Sequence, residues 1–267
     1  MVAPEREIPS GEGEESQRTL LLAHEDVSTT VTRVVEIDIP QDPEVMLPPE
    51  DWALVKDYLS LLLNESNLPH FVGIVKRSKQ KDTEGRDIEV KRKMTTQDFI
   101  GELRDPSVHM LTFRNEADSV LGYAIIRDPS EGQHETWIEK LVVRNRYQNK
   151  RSGERPQPRI GTQILEKIKD YVFETPTFDD RPREILYAGV VMFVPNWERT
   201  DHLFTKSGFV PVGRWQGNAD VLINGEFERK DSERLMLKRE MWEAEKAKSL
   251  LALQGLIQGQ LDIKVSP

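Results

Sequence analysis

The sequence predicts an α/β (α+β) protein in which helices pack on a mixed central sheet. Three observations carry this. The middle of the chain, from Val108 to Val194, reads strand, strand, strand, helix, strand, a run that implies a mixed sheet. Glu184 to Val194 is almost continuously apolar, as in a strand buried on both faces. The segment between them places Ile164, Leu165, Ile168, Tyr171 and Val172 at helical spacing, so it can cover that sheet.

The elements follow in order. Residues 1–29 are rich in Glu, Ser, Gly and Thr, with Leu20 to Leu22 as their one apolar cluster, and are expected to form a disordered tail. Val31 to Ile39 alternates and is β-branched, which predicts a strand. Pro48-Pro49-Glu50-Asp51 opens a helix whose apolar positions are Trp52, Val55, Tyr58, Leu59, Leu62 and Leu63. Phe71 to Val75 and Ile88 to Val90 are short candidate strands. Between them the run from Lys76 to Gly85 reads as a charged hairpin or loop, or as a contact for an acidic or phosphorylated group.

Thr95 or Thr96 caps a short helix with Phe99, Ile100 and Leu103 on one face. Strands are expected at 108–113, 120–127 and 136–143, with a hairpin turn at Asn115 to Asp118. A polar stretch leads to the helix beginning at Ile160, which ends before Pro176. The strand at 184–194, a helix over 196–207 stopped by Gly208, and strands at 209–215 and 234–238 complete the domain. Met241, Trp242, Ala244, Ala247, Leu250, Leu251 and Leu253 predict a last helix ending at Gly255 or Gly259. The division is therefore a tail (1–29), a domain (30–240) and a C-terminal helix with its tail (241–267).

Composition narrows the function. The chain has 267 residues, 37 basic and 46 acidic, for a net charge of −9. That balance argues against bulk nucleic-acid binding. The absence of cysteine excludes disulfides, cysteine metal sites and thiol nucleophiles, and fits a reducing compartment such as the cytoplasm. Apolar runs such as Leu59 to Leu63 fall far short of the ~20 residues needed to cross a bilayer. The first residues, Met-Val-Ala-Pro-Glu-Arg-Glu, lack the pattern of a signal peptide. The five histidines show no metal-ligand spacing, and no phosphate-loop or nucleophile-elbow motif occurs.

The chemistry lies between Trp137 and Leu165. A strand, Trp137-Ile138-Glu139-Lys140-Leu141-Val142-Val143, leads to Tyr147-Gln148 and then to Arg159-Ile160-Gly161-Thr162-Gln163 at a helix start. A helix N-terminus presents unpaired backbone N–H groups and a positive dipole end, which suits a phosphate at residues 159–163.

This arrangement resembles the GNAT superfamily of N-acetyltransferases. Leu141, Val143, Tyr147 and Gln148 match the family's strand-end signature, and Ile160-Gly161-Thr162 with Leu165 matches its helix start. Asn196, followed by His202-Leu203-Phe204-Thr205-Lys206-Ser207-Gly208-Phe209, is similar to its later segment. Asn224-Gly225 and then Arg234 to Arg239 are similar to its closing strand. The resemblance spans about residues 31–240. It implies a mostly antiparallel sheet of six to seven strands and acetyl-CoA bound between two splayed parallel strands. The backbone of Leu141, Val142 and Val143 would hold the pantetheine arm, Gln148 and residues 159–163 the pyrophosphate side, and Asn196 the arm beyond the second strand. Asn196 also reads as an ordinary helix cap.

Two departures stand out. Gly161 lies thirteen residues after Gln148, eight more than the family spacing, and Arg159 occupies the first glycine position. The extra residues, Arg151 to Pro158, add Arg151 or Arg155 to the phosphates or loop away. The family's frequent acid, a tyrosine, is Phe204 here.

Acetyl transfer to an amine needs a base. Glu139 is the candidate, four residues before Val143, which alternation places on the same face. Glu135 and His134 are alternatives, and His202 is a candidate acid. Trp137 and Trp215 either pack or line the acceptor pocket. The resulting expectation is an acetyl-CoA-dependent N-acetyltransferase acting on an amine-bearing acceptor, without metal, as a monomer or homodimer. The segment 64–95 is expected to shape the acceptor pocket. The rivals are an inactive acyl-CoA-binding module and an interaction protein using the C-terminal helix.

Overall fold

The computed structural model describes residues 30–64, 67–71, 74–81, 83–84, 86–129, 135–144, 159–177 and 179–265. The expected tail at 1–29, His134, Tyr147, Gln148 and the insertion at 151–158 lie outside them.

The elements are β1 (Arg33–Ile37), α1 (Pro49–Leu62), a 3₁₀ turn (Leu68–His70), β2 (Val75–Lys81), β3 (Asp87–Lys93), α2 (Thr96–Leu103), β4 (Val108–Arg114), β5 (Val120–Arg127) and β6 (Glu135–Val143). They continue as α3 (Ile160–Glu174), β7 (Ile185–Val191), α4 (Trp197–Lys206), β8 (Val210–Ile223), β9 (Glu226–Lys238) and α5 (Arg239–Val265). Seven strands form one sheet in the order β1-β4-β5-β6-β7-β9-β8, and β2–β3 is a separate hairpin. Every neighbouring pair in the main sheet is antiparallel except β6–β7.

Each face of the sheet has its own core. On one, Ile160, Ile164, Leu165 and Ile168 of α3 pack against Leu111, Leu121, Ala188 and Leu235. On the other, Val55, Tyr58 and Leu62 of α1 and Phe99 of α2 pack against Met110, Tyr123 and Val142. Gly122 allows the α3 contact: a Cβ there would lie 2.6 Å from the Val142 carbonyl oxygen and 2.7 Å from Ile164. Thr95, rather than Thr96, is the cap of α2, in a reciprocal capping box with Asp98.

Three expectations need correction. Of the strand expected over Phe71 to Val75, only Val75 among the described residues is in a strand; the charged run takes the hairpin form of its two readings, pairing Val75 with Lys93 and Lys81 with Asp87. Its cations are tied down within the molecule, Arg77 and Lys91 to Asp220, Lys76 and Arg92 to Asp98. β8 and β9 are much longer than the apolar stretches that announced them. They continue past an irregularity at 216–218 into a hairpin whose turn residues, Asn224 and Gly225, both take positive φ (51° and 85°). Finally, α5 runs through both glycines to Val265. Its first turns dock on α3 through Trp242, which packs on Phe173, and through Glu245 bound to Lys169 (3.1 Å). Leu250, Leu251 and Leu253 are exposed. Among the described residues, no helix is long and apolar enough to cross a membrane.

Candidate functional site

The parallel pair β6–β7 holds together over four residue pairs, from Glu135–Ile185 to Ile138–Ala188, and then separates. Beyond that point β6 keeps only β5 and β7 keeps only β9 as strand partner. The sheet therefore opens into a wedge, with Glu139 to Val143 along one side and Gly189 to Val191 along the other.

The sequence of β6 adds a β-bulge at the opening. Ile125 pairs with Lys140 and Ile126 with Ile138, so Glu139 is an extra residue without a partner on β5. A bulge of one residue reverses which face the following side chains take. Before it, Ile138 packs in the α3 core; after it, Leu141 and Val143 do. This corrects the alternation argument. Glu139 is not on the face of Val143: its carboxylate is held by Arg127 and lies 3.7 Å from Lys140, whose ammonium sits over Phe99 on the α1–α2 face.

On the α3 side, the helix begins beside the wedge. A Cβ on Gly161 would be 3.8 Å from Val143 and 3.6 Å from Leu203 of α4, so this first turn fits between the end of β6 and α4. No side chain caps it: Arg159 at the cap position is exposed and makes no capping bond. Ile160 is buried in the core, and Thr162 is half-buried. Gln163 is committed elsewhere, since its N–H bonds the Arg159 carbonyl (3.1 Å) and its side-chain oxygen accepts from the N–H of Val31 (2.8 Å). Asn196 is exposed, has left-handed backbone (φ 62°) and does not cap α4 with its side chain. Phe204 is buried against Phe209, with ring centres 5.2 Å apart. His202 is exposed on α4 and does not line the cleft described next.

On the opposite face the wedge opens into a cleft of about 350 Å³ lined by residues that include His70, Glu102, Trp137, Glu139, Gly189 and Arg234. Trp215 lines it as well. Both tryptophans therefore belong to the cleft wall, Trp137 stacked on Tyr187 at 5.0 Å. Glu102 of α2 is pushed up in pKa, by burial first and by the charge of Glu139, with Lys140 opposing. His70, on the 3₁₀ turn, was missed by sequence reasoning: a lone histidine after Leu68-Pro69 carries no signature. Burial lowers its pKa below the usual 6.5. Its imidazole is thus neutral at pH 7 and able to accept a proton.

No family model and no curated protein matches the chain. Solved structures do. A phenylalanine-to-alanine mutant of spermidine N-acetyltransferase SpeG from Vibrio cholerae aligns with a TM-score of 0.51 at 12% identity, over 79% of this chain and 97% of that one. A phenylalanine-to-glycine mutant of the same protein gives 0.50 at 12% identity, over 79% and 95%. An asparagine-to-leucine mutant gives 0.50 at 10%, over 79% and 95%. The chain has the fold of these N-acetyltransferases, the GNAT fold.

Proposed function

We propose that this chain is an acetyl-CoA-dependent N-acetyltransferase that acts on a primary amine bound in the cleft at the β6–β7 wedge. The observation that carries the proposal is the separation of β6 from β7 after Ile138–Ala188, beside an uncapped helix N-terminus. The residues present suit the cofactor. The stretch of β6 past its last pair with β7, Leu141, Val142 and Val143, is where the amides of a pantetheine arm would bond. The N–H groups of Ile160, Gly161 and Thr162, with Arg159, offer donors to a pyrophosphate. Asn196 flanks the far strand. Acetyl-CoA, when bound, supplies an acetyl group as a thioester, whose C–S bond breaks as the C–N bond forms, the electron pair staying on sulfur.

The protein's task is to place the amine and take its proton. Glu102 and Glu139 lie where an acceptor ammonium is attracted. His70 is neutral in the same cleft and takes the proton, while Glu139, held by Arg127, orients the amine. A positioned base is worth typically ~10²–10⁴ in rate. Phe204 supplies no proton; none is essential, because a thiol with pKa ≈ 8.5 leaves readily as thiolate.

Thermal unfolding with acetyl-CoA is the test. At ~100 times the dissociation constant it adds about 2.7 kcal/mol, or roughly 5–10 °C for a domain of this size. No shift at millimolar concentration removes the proposal. With a turned-over amine, kcat/KM should fall on the acid side with a midpoint below 6.5. His70→Gln should abolish that limb, whereas Glu139→Gln should lower the rate and leave it. The interaction-protein alternative rests on exposed Leu250, Leu251 and Leu253. An unchanged solution mass after their replacement by serine removes it.

A further inference from the structure

Among the described residues, Arg234 is the cleft cation that no anion bonds. It stands on β9 directly opposite Gly189, the first residue of β7 past the last β6–β7 pair. Its guanidinium lies over three rings, Trp137 at 4.6 Å, Trp215 at 4.7 Å and Tyr187 at 5.2 Å. The other cations of the cleft are matched: Arg127 holds Glu139 and Asp105, and Lys140 lies between Glu102 (3.8 Å) and Glu139. The neighbouring Glu233 faces Asp201 of α4, and burial and that charge raise its pKa. Among the described residues, no carboxylate bonds Arg234.

A guanidinium stacked on rings has its faces covered and its orientation fixed, while its N–H edge still needs acceptors. A carboxylate or phosphate meets that edge with two parallel hydrogen bonds. Space for it exists, since nothing lies within 4 Å of where a Gly189 Cβ would be. The cleft thus presents three carboxylates, Glu102, Glu139 and Glu233, and an arginine that no described carboxylate bonds.

We propose that the acceptor is a small zwitterionic amine, whose ammonium end meets Glu102 and Glu139 and whose carboxylate or phosphate is taken by Arg234. This deepens the acetyl-transfer proposal and rests on it only for the fate of the amine. Binding itself requires no cofactor and can be measured on the chain alone.

Calorimetric titration with 4-aminobutyrate, O-phosphoethanolamine, butylamine and 1,4-diaminobutane tests it. One or both anionic amines should bind more tightly than both others, on the order of 10- to 100-fold. Which of the two binds distinguishes carboxylate from phosphate. Arg234→Gln should erase the preference, and Arg234→Lys, which keeps the charge but not the fork, should restore only part of it. If Arg234→Gln does not fold, Gly189→Leu serves: it fills open space and should abolish binding in a folded protein. Failure of both anionic amines to bind at millimolar concentration, tighter binding of the diamine, or the same preference in Arg234→Gln overturns the proposal. Arg234-dependent binding without CoA thiol release from acetyl-CoA sinks acetyl transfer alone. Release driven by the diamine, at a rate unaltered by Arg234→Gln, sinks this inference alone.

Discussion

At the paired end of β6 and β7, charge is buried and matched; at the splayed end it is accessible and left over. Arg183, just before β7, and Asp128, just after β5, have no exposed side-chain surface and meet at 2.7 Å. Thr136 of β6 donates to Asp128 (3.1 Å), and His109 of β4 bridges Asp128 (3.0 Å) and Glu36 of β1 (2.7 Å). Tyr171 of α3 donates to Glu36 (2.6 Å), so one network ties three strands, the segments after β5 and before β7, and a helix. Arg234 at the other end has aromatic rings for neighbours and, among the described residues, no anion bonded to it. The same residue type serves the fold where its hydrogen bonds are satisfied internally, and recognition where they are not.

The largest effect should come from breaking the closed end. Arg183→Met takes the guanidinium from the buried Asp128 carboxylate, which keeps His109 and Thr136, and should cost about 3–5 kcal/mol, seen as a lower denaturant midpoint. A change near zero would mean the network is not what joins β6 to β7.

The pH dependence sharpens the same point. Burial lowers the pKa of His109, but its hydrogen bonds to Asp128 and Glu36 outweigh this and raise it to about 9. A raised folded-state value means that its stabilisation is complete below pH 6.5 and is lost as the pH climbs through 9. His109→Gln should therefore lower stability at pH 6 on the order of 1–3 kcal/mol and make little difference near pH 10. Asp128 behaves oppositely. Burial raises its pKa, yet His109 and Arg183 hold it at about 2, so its contribution fades as the pH drops from 3.8 toward 2. Equal loss in His109→Gln at both pH 6 and pH 10 would show that packing, not charge, is involved.

Two glycines give the smallest contrast. Gly122→Ala forces a methyl against the Val142 carbonyl beneath α3 and should cost about 1–3 kcal/mol. Gly189→Ala, facing open cleft, should change stability by about 0.5 kcal/mol or less. Similar losses at both would mean the wedge is closed.

Much of the frame was legible because its signals are local. The strand at 120–127, the helix from Ile160 to before Pro176 and a threonine cap at Thr95 or Thr96 follow from alternation, helical period and hydrogen-bonding chemistry within a few residues. The run forming β2–β3 could be read as a hairpin or a loop without deciding between them, and the outer halves of β8 and β9 were not legible. They are charged, and their pairing is stabilised by partners far along the chain, as where Asp220 meets Arg77 and Lys91. Glu139 could be picked out as an acid in an apolar strand. Its face could not be inferred, because the bulge depends on how β5 pairs across it.

The order of the main strands and helices, the glycine start of α3 and the residues that resemble an acetyltransferase could be read along the chain, since these depend on neighbours in it. Which charges are matched followed only from the packed fold. His70, Glu102, Glu139 and Arg234 come from four separate elements, and the register of β6, β7 and β9 brings them to one cleft. The sheet seals Arg183 against Asp128 at one end and leaves Arg234 open at the other. Desolvation and pairing are properties of the packed molecule, and no local pattern encodes them.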